Sequence, residues 1–195
     1  MNGETKMKKL FTTVAAMALL TATAHADARF LRAAVFFLDG GDDGLKHQIT
    51  TDGMEVMGSE DTGAMIFQDK TDPCTVYYTN IRDEIPDRGS KLMNARRVNF
   101  NKMPSPRDFG SSYVSGIGGR MWSWVASLPP DAMIETTVRH EKSGPVTVSF
   151  PPTGKYWKSI SWFDTSVNGN GPRRLRALDF IRNNYCPGLP EVRGF

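Results

Sequence analysis

Apolar and polar residues alternate with a period of two through most of the middle of this chain, and a helical period emerges clearly only near its end. "GAMIFQDKTDPCTVYYTN" (63–80) holds two β-rich runs around the turn-forming residues 69–73, which is a hairpin signature. In the second run Cys74, Val76 and Tyr78 share one face, opposite Thr75, Tyr77 and Thr79. The same alternation predicts strands in "ARRVNFN" (95–101), "MIETTVRH" (133–140) and "PVTVSF" (145–150). "YWKSISWF" (156–163) follows "PPTG", so 145–163 reads as a second hairpin. "RFLRAAVFFLDGG" (29–41) shows no clean period and is read as a buried strand ended by Gly40 and Gly41, while "RDEIPDRGSKLMN" (82–94) reads as a connecting loop. Three glycines, Gly116, Gly118 and Gly119, argue against a helix through the first half of 111–130.

At the carboxy-terminal end, Leu175, Leu178, Ile181 and Tyr185 recur at spacings of three, three and four, which lays one apolar stripe along a helix. Pro172 suits its first turn, and Pro187 with Gly188 ends it, so a helix is predicted over 172–186 with Cys186 at the edge of the stripe. The predicted class is α+β. It consists of a mainly antiparallel sheet, which allows a sandwich-like arrangement, with a C-terminal amphipathic helix docked on it.

The first 26 residues depart from this pattern. Lys6, Lys8 and Lys9 precede an apolar run over 10–20, and Ala24 and Ala26 follow at small-residue cleavage spacing, the layout of a secretory signal peptide. The run is too short for a bilayer span, which needs about 20 apolar residues. Residues 1–26 are therefore expected to be a signal peptide and 27–195 a single exported, β-rich domain, periplasmic or secreted, with no stable membrane anchor after cleavage. The chain has 24 Lys plus Arg and 21 Asp plus Glu; loss of three lysines and Glu4 leaves 21 against 20, a net charge of +1. That near-neutral balance gives no global footprint for nucleic acid. The partner expected is instead an envelope or extracellular ligand.

Export also changes the meaning of the two cysteines. In an oxidising compartment an even count reads as a disulfide framework, and two cysteines permit one intramolecular pair, Cys74 with Cys186. With one sulfur on the apolar face of a strand and the other beside a helical stripe, the bond would latch the helix to the sheet. There is no Cys-x-x-Cys spacing to make it a redox pair.

Candidate chemistry is sparse. Asp39, Asp42 and Asp43 lie among glycines without the alternate spacing of a calcium loop, and "GSEDTG" (58–63) likewise reads as a solvated turn, so no metal is predicted. His47 and His140 sit in no zinc or triad motif, and no nucleophile elbow, phosphate loop or dinucleotide fingerprint occurs; no catalytic residue and no cofactor are predicted. The acid pairs Asp83 with Glu84 and Asp131 with Glu135 are adjacent only along the chain. "RRLRALDFIR" (173–182) is a basic helical face with snorkelling stems, on which Phe180 falls off the apolar stripe. Trp122 and Trp124 in "MWSWV" project to one face if that segment is a strand, either as a stacking platform for a ligand or as core. The pattern favours a small, disulfide-stabilised, non-catalytic envelope or secreted binding protein, with a small exported hydrolase acting on cell-wall or carbohydrate material as the alternative. Exported material is expected to begin at Asp27. N-terminal sequencing checks this, and an intact leader recovered from a membrane fraction would contradict it.

Overall fold

The computed structural model describes residues 28–41, 44–49, 55–59, 64–85, 91–116, 119–140, 147–149, 154–164 and 169–188. The leader lies outside these residues, as do Asp42, Asp43 and the end of the "GSEDTG" turn. The order of elements is α1 (Ala28–Asp39), β1 (Leu45–Ile49), β2 (Glu55–Ser59), β3 (Ala64–Gln68), β4 (Thr75–Ile85), β5 (Lys91–Asn99), two short 3₁₀ turns (Phe100–Lys102 and Pro106–Asp108), β6 (Gly110–Gly116), β7 (Gly119–Ser127), β8 (Met133–His140), β9 (Thr147–Ser149), β10 (Ser159–Asp164) and α2 (Asn170–Asn184). They build an α+β fold with two antiparallel sheets: a seven-stranded sheet in the order β1-β2-β3-β4-β5-β8-β9 and a three-stranded sheet in the order β10-β7-β6.

The core lies between the sheets and the two helices. α1 contributes Phe30, Leu31, Ala34, Val35 and Phe37, the larger sheet Met57, Ile66, Val76, Val98 and Met133, and the smaller sheet Trp124, Ala126, Ile160 and Trp162. Leu178 and Ile181 of α2 close it. Phe37 sits edge-on to Phe100, Phe109 and Trp162 at centroid distances of 6.0, 6.2 and 5.7 Å, the geometry that opposed ring quadrupoles prefer. Central strands of the larger sheet are covered on their second face as well, where Val56, Phe67, Tyr77, Met93, Ala95 and Val138 form a separate cluster.

Three sequence readings are corrected. Residues 29–41 form a helix and not a buried strand. Its core-cluster positions 30, 31, 34, 35 and 37 follow a 3.6 period with Arg29 and Arg32 outside, but Phe36, buried apart from that cluster beneath Arg173, disguises the stripe. Residues 82–94 are not simply a loop, because β4 runs to Ile85 and β5 starts at Lys91. The expected hairpin over 145–163 does not form: β9 pairs with β8 in the larger sheet and β10 with β7 in the smaller one. Pairing is a long-range property that alternation does not encode. β1 and β2 carried no sequence assignment, and their short mixed runs explain why.

The β3–β4 turn shows how local chemistry sets up the latch. Asp69 Oδ1 accepts the Thr71 amide (2.8 Å), the Thr71 hydroxyl (2.7 Å) and the Asp72 amide (3.1 Å), and its Oδ2 accepts the Tyr77 hydroxyl (2.6 Å). Asp72 in turn accepts the Cys74 amide (3.1 Å), the Thr75 hydroxyl (2.7 Å) and the Asn99 side-chain amide (3.1 Å). These aspartate turns fix Cys74 immediately before β4. Cys186 follows α2, and the two cysteines are joined with a Cα separation of 5.7 Å across 112 residues.

α2 begins two residues earlier than its sequence signal, because its cap comes from outside the segment. The Asp164 carboxylate at the end of β10 accepts the backbone N–H groups of Asn170 (3.1 Å) and Gly171, placing a negative charge at the positive end of the helix. Gly171 has no room for a side chain, since a Cβ there would run into the Trp124 indole.

Two tests follow from this framework. Cys74→Ala/Cys186→Ala is expected to lower stability by about 2 to 5 kcal/mol and to speed amide exchange in α2 before the strands; unchanged exchange there would mean the bond constrains nothing. Burial alone would raise the Asp69 carboxyl, but hydrogen bonds from Tyr77, Thr71 and Asp72 outweigh it and hold the group below its usual range. A carboxyl lowered in the folded state adds stability above its unfolded value of about 3.9, and that contribution disappears as pH falls through the folded value. Asp69→Asn should therefore be less stable than the parent near neutrality and should show a shallower loss of stability on acidification below about pH 4 in thermal melts, whereas Tyr77→Phe should move the Asp69 titration upward.

Candidate functional site

One transverse row of the larger sheet leads from the core to an open cleft. Cross-strand register places Met57, Ile66, Tyr78, Arg96 and Glu135 side by side on β2, β3, β4, β5 and β8. Directly opposed residues in such a row have Cβ atoms about 5 Å apart. Met57 and Ile66 are buried in the core. Beyond them Tyr78, Arg96 and Glu135, with Asn94 and Trp157, line a cleft of about 260 Å³.

Trp157 arrives from outside the strands proper. Residues 155–157 run beside β8, with the Glu135 amide donating to the Lys155 carbonyl and the Trp157 amide to the Met133 carbonyl, both at 3.0 Å. That pairing holds the indole as a wall, and the Arg96 guanidinium lies 4.6 Å from its ring centroid. The stacking spreads and orients the cation without neutralising it. Among the described residues Arg96 and Glu135 form no ion pair with each other despite being opposite in register. Among the described residues the buried indole N–H of Trp157, like those of Trp124 and Trp162, has no acceptor. On the core side, the Tyr78 hydroxyl donates to Asp39 Oδ1 at 2.7 Å, so the cleft abuts the end of α1.

The residues singled out in the sequence are placed elsewhere. Trp122 and Trp124 do share a face of β7, but Trp124 is buried in the core, and Trp122 is half-buried against Tyr113 with ring centroids 5.4 Å apart. Cys74 and Cys186 are consumed by the disulfide. His47 is exposed on β1, and His140 ends β8 with its side chain outside the described residues. Asp131 meets Lys102 at 3.5 Å, whereas Glu135 lines the cleft; the side chains of Asp83 and Glu84 lie outside the described residues. Among the described residues no three His, Cys, Asp or Glu side chains gather as a metal site, and no helix is long and apolar enough to cross a membrane.

Sequence reasoning missed the cleft because its members come from four segments and each looks ordinary alone. The one signal was Trp157, an aromatic residue in a short run after a turn. No family model matches this chain, and no curated protein or solved structure does either.

Proposed function

We propose that the protein is an exported, non-catalytic binding protein that holds a small polar ligand in the cleft between Arg96, Trp157 and Glu135. The signal-peptide layout of residues 1–26 supports export, and the Cys74–Cys186 bond is of the kind that oxidising compartments favour. The observation that carries the binding role is the mixed row itself: a cation and a carboxylate, opposite in register yet not paired, with a tryptophan wall and amide and hydroxyl groups around them. A few convergent polar groups against an aromatic wall are what orient a small ligand. A ligand offering both an acceptor to Arg96 and a donor to Glu135 would complete the row, and a zwitterion or a polyol has that chemistry. Acid–base hydrolysis of a glycoside would ask for a second carboxylate facing Glu135. Asp131, the nearest such residue along the chain, is engaged with Lys102.

Mass spectrometry of small molecules released on denaturing protein purified from its native compartment tests this reading. The parent is expected to release a polar compound that Arg96→Met/Glu135→Gln does not retain, with both proteins equally folded. Equal release from the variant, or no release from the parent, would overturn the assignment.

A further inference from the structure

The outer face of the helical layer carries a second surface, which shares no lining residue with the cleft. α1 reads Arg29-x-x-Arg32-Ala33-x-x-Phe36, and α2 reads Arg173-x-x-Arg176-Ala177-x-x-Phe180. In both helices the four positions fall at i, i+3, i+4 and i+7, one continuous stripe. The helices are antiparallel neighbours: Arg174 at the start of α2 bonds carbonyls at the end of α1, while Phe30 at the start of α1 stacks on Tyr185 at the end of α2 with centroids 5.4 Å apart. The two copies of the motif therefore face each other head to tail across an open groove of about 380 Å³.

The groove has an apolar floor and a basic rim. The short side chains of Ala33 and Ala177 leave a depression at its middle, with Phe36 and Phe180 towards its ends. The Arg173 guanidinium lies 4.7 Å over the Phe36 ring. All four rim arginines are exposed, and among the described residues neither Arg32 nor Arg176 makes an ion pair. Among the described residues no carboxylate lines the groove: Asp179 of α2 accepts from Asn183 at 3.1 Å, and Asp39 of α1 accepts from Tyr78.

We infer that this groove docks an acidic segment of a partner protein, carrying carboxylates on both sides of a bulky apolar side chain. Charge complementarity selects the sign, since arginine forks take carboxylates in paired hydrogen bonds. The depression over the two alanines selects the apolar anchor, as in other grooves that take an amphipathic segment. A second copy of this chain is the wrong occupant, because it would oppose four arginines with four more. A bilayer fits less well than a peptide: Phe36 is only 6 % exposed and lies beneath Arg173, so it does not stand out to enter lipid.

Selection of random displayed peptides on the folded protein, subtracted against Arg32→Glu/Arg176→Glu, provides the test. Recovered peptides are expected to place Asp or Glu on both sides of Leu, Met or Phe. Their affinity should fall by roughly tenfold or more in the charge-reversed variant, fall with added salt, and also fall in Ala177→Leu, which fills the depression without altering charge. Both variants alter the outer face, and circular dichroism verifies their fold. Three results would each overturn the inference: no enrichment over the subtracted background, enriched peptides lacking acids, or sedimentation with phosphatidylglycerol vesicles in the absence of peptide binding. The cleft at Trp157 plays no part in the measurement, so the two assignments stand or fall separately.

Discussion

The helical layer depends on how α2 is pinned at its two ends. At the far end the disulfide holds Cys186 to the start of β4. At the near end Asp164 caps the helix, and Arg174 reaches back into α1, donating to the carbonyl oxygens of Phe37 (3.3 Å), Leu38 (3.2 Å) and Asp39 (2.5 Å). Those carbonyls are among the groups a helix terminus leaves without internal partners, and a cation there also opposes the negative end of the dipole. Gly40 makes the approach possible: its φ is +87°, its amide closes on the Phe36 carbonyl at 2.9 Å, and any side chain would strike the guanidinium. Partial burial pulls the Arg174 guanidinium below its ordinary range, while Asp39, Asp164 and Tyr78 pull it back, so the cation is compensated from both helix ends.

This clamp links the helical layer to the cleft. Asp39 carries the last carbonyl that Arg174 holds and also takes the Tyr78 hydroxyl, and Tyr78 is the border residue of the row that continues into Arg96 and Glu135. Arg174 lies 5.3 Å from the Trp162 ring centroid as well, which ties the smaller sheet into the same junction. One half-buried guanidinium thus joins the end of α1, the start of α2 and, through Asp39 and Tyr78, the inner edge of the cleft.

What was legible in the sequence was local. The turn between β3 and β4, the alternation of β4, β5 and β8, and the stripe of α2 each follow from residues within a few positions of one another. The Cys74–Cys186 pair was legible for a different reason, arithmetic, since two cysteines allow one intramolecular bond. The cleft was not legible, because Tyr78, Arg96, Glu135 and Trp157 meet only through strand register, and a shift of one residue would turn them to the other face. For Trp124 the sequence offered core or a ligand platform, and the close approach of Gly171, nearly fifty residues later, is part of what places it in the core.

The misreading of α1 has its own physical content. Its apolar run lacked a clean period because Phe36, outside the main core cluster, and half-buried Ala33 line the groove between the helices, and Phe180 departs from the stripe of α2 in the same way. Neither Phe36, buried beneath Arg173, nor half-buried Phe180 joins the main core cluster, and two such exceptions call for a common cause. Here the exceptions occupy the same place in the same eight-residue pattern, on helices held antiparallel by the Arg174 clamp and the disulfide. The residues that obscured the fold in the sequence are therefore the ones that the fold gathers into a groove.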